Sequence, residues 1–225
     1  MRPDSQPYRL VNARPSPYGR KIAIALIEKG MAFEVIYDEP WSDHSKTGDF
    51  SPLRQLPILI TPNDVSICDS SHILDWLEIS FPSPALLPDA RAEKIAALNM
   101  KALGERLMEI AQSLIFEMHR NQPSPHYIAR QTQKIRGGLI ELERLSAMPL
   151  AYETIAIHQG HIAVATSLLA WEFVVLDGMC APIDVLIWRA RYPCLTTMVE
   201  QLAQRPSFMK TEPKSMPINL NALTT

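Results

Sequence analysis

The chain has 225 residues, of which 47% are hydrophobic and 20% charged, enough apolar material for a sizeable core and too little charge for disorder. Twenty-two Lys plus Arg stand against 24 Asp plus Glu, a net charge of −2, which argues against a protein that binds by neutralising nucleic-acid phosphates. The longest apolar stretch, Ile162 to Leu176, is broken by Thr166, Ser167 and Glu172, and the opening MRPDSQPYRL has no apolar run. Neither a membrane span nor a secretory signal is expected. Cys68, Cys180 and Cys194 are far apart and form no CxxC pair, which fits a reduced, cytoplasmic protein better than a disulfide framework.

Tyr8 to Val11 reads as a short strand, followed by a turn over Asn12 to Pro15. Ser16-Pro17 then opens a helix, with serine as N-cap and proline at the first helical position. Ile22, Ala25, Leu26 and Lys29 share one stripe, and Gly30 falls where a C-terminal cap belongs. Phe33, Val35 and Tyr37 alternate with Glu34 and Ile36, a strand period. Strand, helix and strand in this span predict a parallel pair.

Asp38 to Leu56 is polar, carries Pro40, Gly48 and Pro52, and reads as a loop with at most a short helical turn. Pro57–Ile60 and Val65–Cys68 flank the turn signal Thr61-Pro62-Asn63-Asp64 and predict an antiparallel hairpin. Asp69-Ser70 opens a second helix with Ile73, Leu74 and Leu77 on its buried face. Beyond Pro88 only helices are expected: Ala90 to about His119, a break at Asn121 to Pro125, Ile128 to Leu145, and His158 to Leu176 buried all round. Tyr192-Pro193 begins a last helix running to Arg205-Pro206, and the tail from Thr211 is extended. The pattern is α/β followed by all-α, with the boundary near Leu86 to Arg91.

Four segments in order carry a family resemblance: SPYGRKIAIALIEKG from Ser16, SPLRQLPILI from Ser51, CDSSHILDWLE from Cys68, and RYPCLTTMVEQLAQRPSFMKTEP from Arg191. Over about residues 8 to 213 the chain resembles the glutathione transferases. The resemblance implies a thioredoxin-like glutathione-binding domain over 1–86, an all-helical bundle over 91–225, and a cis-proline at Pro57. It departs at one place. The family's last buried helix opens with a Ser/Thr-x-x-Asp capping box, and here the matching residues are His158 and His161. Histidine is a poor N-cap, so this helix is expected to begin differently or to be held by packing. A zinc reading of the pair lacks further ligands nearby, and no metal is expected.

Transfer chemistry on glutathione needs a thiolate, and a free thiol has a pKa near 8.5. Unpaired N–H groups at a helix start favour the anion, and a donated hydroxyl adds to them. Ser16 is placed for that role and matches the serine of the serine-type transferases. It could instead serve only as a cap, or the backbone N–H groups could suffice alone. A CxxC nucleophile would fall on Ala13 and Ser16, and Ala13 has no sulfur. Tyr8 lies at the start of its strand and reads as a packing residue.

For the peptide, Leu56 beside Pro57 offers its backbone, Ser70 and Asp69 suit the γ-glutamyl carboxylate and ammonium, and Arg54 or Gln55 could reach the glycyl end. A cleft between domains, with Tyr18, Trp41, Met100, Leu103, Leu107 and Met108, would take the second substrate. The resemblance implies a cytoplasmic, homodimeric detoxification enzyme that adds glutathione, as co-substrate, to a small, largely apolar electrophile. A glutathione-binding regulatory module and a glutathione-dependent isomerase or dehalogenase stay open. No nucleic-acid or membrane partner is expected.

Overall fold

The fold is that of a computed structural model describing residues 6–147, 157–176 and 183–218; Cys180 and the opening residues 1–5 lie outside these segments. Strand β1 (Tyr8–Asn12) is followed by α1 (Pro17–Glu28), β2 (Phe33–Tyr37), β3 (Ile58–Ile60), β4 (Ser66–Ile67) and α2 (Ser70–Ser80). The sheet order is β2-β1-β3-β4. β1 runs parallel to β2 with Leu10 opposite Val35, and antiparallel to β3 with Val11 opposite Ile58. β3 and β4 form the expected hairpin, Leu59 opposite Ile67. β1 extends through Asn12, one residue beyond the expected strand, because Asn12 still pairs with Tyr37.

Local signals fix α1 at both ends. Ser16 accepts the Gly19 N–H at its start, with Pro17 as first helical residue. At its end Gly30, at φ 66°, donates to Ile27 while Met31 donates to Leu26, the two bonds of a Schellman motif. The Asp38–Leu56 loop contains one short 3-10 turn, Thr47–Asp49. Asp38 closes it by accepting from Ser45 at 2.9 Å and from Thr47 at 2.6 Å.

The remaining helices are α3 (Arg91–Met118), α4 (Pro125–Ser146), α5 (Gln159–Leu176), α6 (Pro193–Ala203) and the single turn α7 (Pro206–Met209). Two boundaries differ from expectation. α4 begins at Pro125 rather than Ile128, because Ser124 caps it by accepting the Tyr127 N–H. α6 stops at Ala203, and Pro206 starts α7 as a separate turn. The described residues up to Leu87 form one compact unit together with Pro206–Ser215, and Pro88–Arg205 form the other. The expected helical domain had kept residues 206–215 to itself.

α5 has the length and apolarity of a membrane span, at mean hydropathy 1.3, but 67% of it is buried inside the structure, as in a core helix. Its histidines supply the missing cap themselves. The His161 N–H donates to His158 Nδ1 at 3.2 Å, and the His158 N–H donates back to His161 Nδ1 at 3.4 Å. The rings stack 3.5 Å apart at 16°. This is a reciprocal capping box built from two imidazoles, and it requires both protons on Nε2. Ile157 and Ile162, the positions a hydrophobic staple joins, are both buried.

α3 and α5 approach closely at Gly104. A Cβ there would lie 2.7 Å from the Val164 nitrogen and 2.8 Å from the Ala163 carbonyl carbon, while Ser167 donates to the Gly104 carbonyl at 2.8 Å. The obstacle is backbone, which cannot rotate away. Gly104→Ala should therefore cost about 3 kcal/mol, the upper end for overpacking. A lower urea midpoint at unchanged slope is the expected observation; an unchanged midpoint would mean that the helices part freely.

Candidate functional site

The strand register gathers the expected site residues at one end of the sheet. The C-terminal end of β1, the N-terminal end of β3 and the C-terminal end of β4 lie side by side there. Ser16 follows β1, Leu56-Pro57 precedes β3, and Asp69-Ser70 follows β4. Neighbouring strands are about 4.8 Å apart, so the three groups span about 10 Å, the reach of a short extended peptide.

At the first position, α1 has no acidic residue in its first turn to offset its partial positive charge. The Ser16 oxygen accepts the Gly19 N–H at 3.3 Å, a role that does not use the hydroxyl's own hydrogen. Capping and thiolate donation are thus compatible in one hydroxyl. Asn12, read as a turn residue from sequence, is buried beneath: a Cβ on Gly19 would lie 1.7 Å from its Oδ1, which has no partner among the described residues. The signal for it was the glycine in the first turn of a helix.

At the centre, the Leu56–Pro57 bond is cis, and the Leu56 N–H and C=O lie outside the ladder that starts at Ile58. Arg54, at φ 51°, and Gln55 are exposed next to it. At the third position Asp69 caps α2, its Oδ1 accepting from Ser71 at 2.9 Å and His72 at 3.1 Å. Its Oδ2 is left for a cation. Ser70 is buried at the first position of α2. Burial pushes the Cys68 thiol up, which disfavours its thiolate form.

Residues 15–79 match the family model described as glutathione S-transferase, N-terminal domain. The uncharacterized GST-like protein YibF of Escherichia coli (strain K12) is 32% identical over 208 residues, 91% of this chain and 98% of that protein. The chain belongs to the glutathione S-transferase family. A glutathione S-transferase of Methylobacterium radiotolerans, solved in complex with glutathione sulfonate, aligns at TM-score 0.83 with 34% identity, over 94% of this chain and 97% of its own. A family member from Pseudomonas fluorescens Pf-5 with bound glutathione aligns at TM-score 0.73 with 26% identity, over 92% of this chain and 100% of its own.

The sheet unit is accordingly a thioredoxin-like domain, followed in this transferase family member by the helical region. Of the residues expected around a second substrate, Met100 and Leu107 pack inside the helical unit, against Gly160 and Gly138. Met108 is buried as well, whereas Leu103 is half-buried. In the sheet unit Tyr18 and Trp41 are half-buried. Tyr8 packs against Trp76 and Phe81 with ring centres 6.1 and 6.2 Å away, so it is engaged in packing.

Proposed function

We propose that the chain binds glutathione across this end of the sheet, stabilises its thiolate and adds it to a small, largely apolar electrophile. One observation carries the reading: a serine-capped helix start, the strand end at the cis Leu56–Pro57 bond and a capped Asp-Ser pair lie at the same end of the sheet. The γ-glutamyl carboxylate would take the Ser70 hydroxyl and the α2 N–H groups, and its ammonium the free oxygen of Asp69. Leu56 would pair with the cysteinyl backbone, which leaves the sulfur at Ser16. Arg54 and Gln55 are the nearest groups for the glycyl carboxylate. Both related structures named above hold glutathione or its sulfonate, which supports glutathione binding by this chain. Tyr18 and Trp41, half-buried in the sheet unit, are the better candidates for the electrophile, since Met100 and Leu107 are used in packing. A homodimer in the cytoplasm completes the reading and rests on family membership.

Glutathione at 100 times its dissociation constant should stabilise the fold by about 2.7 kcal/mol, read as a higher melting temperature. Ser70→Ala should weaken binding about tenfold, because a hydrogen bond to a charged group contributes about 1.5–3 kcal/mol. An unshifted melting temperature at millimolar glutathione would contradict binding. An unchanged dissociation constant in Ser70→Ala would place the γ-glutamyl group elsewhere. Turnover with an aryl halide then separates an enzyme from a binding module.

A further inference from the structure

The chain leaves the helical unit after α6 and returns to the sheet unit over Pro206–Ser215. Three attachments hold it there. The Ser207 hydroxyl donates to the Glu28 carboxylate at the end of α1. Arg20, buried near the start of α1, donates to the Phe208 carbonyl at 3.2 Å, and Glu212 is close enough to favour its charge. The last attachment is the Lys214 N–H, which donates to the Arg14 carbonyl at 3.3 Å.

Arg14 lies two residues before Ser16, in a four-residue turn closed by the Ser16 N–H. Pro15 has no N–H to anchor it. The Ala13 carbonyl is already taken by the Ser16 N–H at 3.0 Å. The Arg14 guanidinium lies 4.2 Å from the centre of the Tyr37 ring, which steadies the side chain but not the peptide plane. Besides that turn bond, the backbone hydrogen bond that the Arg14 carbonyl accepts among the described residues comes from Lys214. A rotation of that plane would swing the Ser16 hydroxyl, and small displacements of a reacting group are costly in rate.

We propose that residues 206–214 form a strap that positions the Ser16 turn, with the Lys214 N–H as its positioning group. Its consequence for catalysis rests on the glutathione reading; its mechanical part does not. Lys214→Pro removes the N–H within an extended segment, and Lys214→Ala keeps it. Amide hydrogen exchange at Ser16 and Gly19 should speed up about tenfold in Lys214→Pro, with α2 amides unaffected and Lys214→Ala at the parental rate. A chain ending at Thr211, which retains α7 and the Arg20 attachment, should behave like Lys214→Pro. With glutathione bound, both altered tails should raise the thiol pKa and lower kcat about tenfold, while the glutathione dissociation constant stays within about twofold. Parental exchange at Ser16 and Gly19 in both altered tails would overturn the strap, whatever the activity. A parent that binds no glutathione would instead overturn the functional reading, and the exchange rates would still decide the strap.

Discussion

Ser16→Ala should raise the pKa of bound glutathione by about one to two units and lower turnover at neutral pH, with the loss shrinking as pH rises. The magnitude is that of one hydrogen bond to a charged group, about 1.5–3 kcal/mol, at about 1.4 kcal/mol per pKa unit. The sign follows because alkaline solution supplies the thiolate that the altered site no longer favours. The same substitution removes the acceptor of the Gly19 N–H, so a stability loss of about 1 kcal/mol should accompany the pKa change. Neither effect replaces the other. Ultraviolet titration of the bound thiolate and thermal unfolding read them separately. A stability loss with superimposable titrations would reduce Ser16 to a cap.

Acid should destabilise the protein from about pH 6.5 downward through the paired histidines of α5. Burial pushes His158 down to about 4; burial, with added repulsion from His158 and Arg205, pushes His161 down to about 3. Both Nδ1 atoms accept backbone N–H groups, so protonation there breaks the box. An unfolded histidine takes up its proton near pH 6.5. Between that value and the folded ones the unfolded chain binds more protons, so stability is full above pH 6.5 and falls with decreasing pH. At about 1.4 kcal/mol per unit for each ring, the loss reaches about 4 kcal/mol at pH 5. His158→Ser combined with His161→Asp should rebuild an ordinary capping box and flatten this dependence. Urea midpoints at pH 5 and pH 7 test it; equal pH sensitivity in parent and double variant would show that other groups carry the acid response.

The elements legible in the sequence were those set by local chemistry. Ser16-Pro17 and Asp69-Ser70 cap their helices, and Gly30 closes α1, through contacts within a few residues. The same Ser-Pro signal at Ser124-Pro125 sits inside the break expected over Asn121 to Pro125, and in the structure it starts α4. Contacts between distant residues were not legible. The return of Pro206–Ser215 to the sheet unit depends on Arg20 and Arg14, nearly two hundred positions earlier. The histidine pair stands in the sequence where a cap is missing, yet its solution needs the two rings stacked and deprotonated on Nδ1, which no propensity scale includes. Of the candidate site, the gathering of Ser16, Leu56-Pro57 and Asp69-Ser70 at one end of the sheet followed from motif order and strand register. The electrophile half did not, because a Met- and Leu-rich helix face looks the same whether it packs inward or lines a pocket, as Met100 and Leu107 illustrate.

The most direct measurement is the thiolate absorbance of glutathione bound to the unaltered protein, followed against pH. If α1 and Ser16 stabilise the anion, the bound thiol titrates at least about one unit below the value near 8.5 of a free thiol. A bound thiol that titrates at the free value would contradict thiolate stabilisation at this helix start.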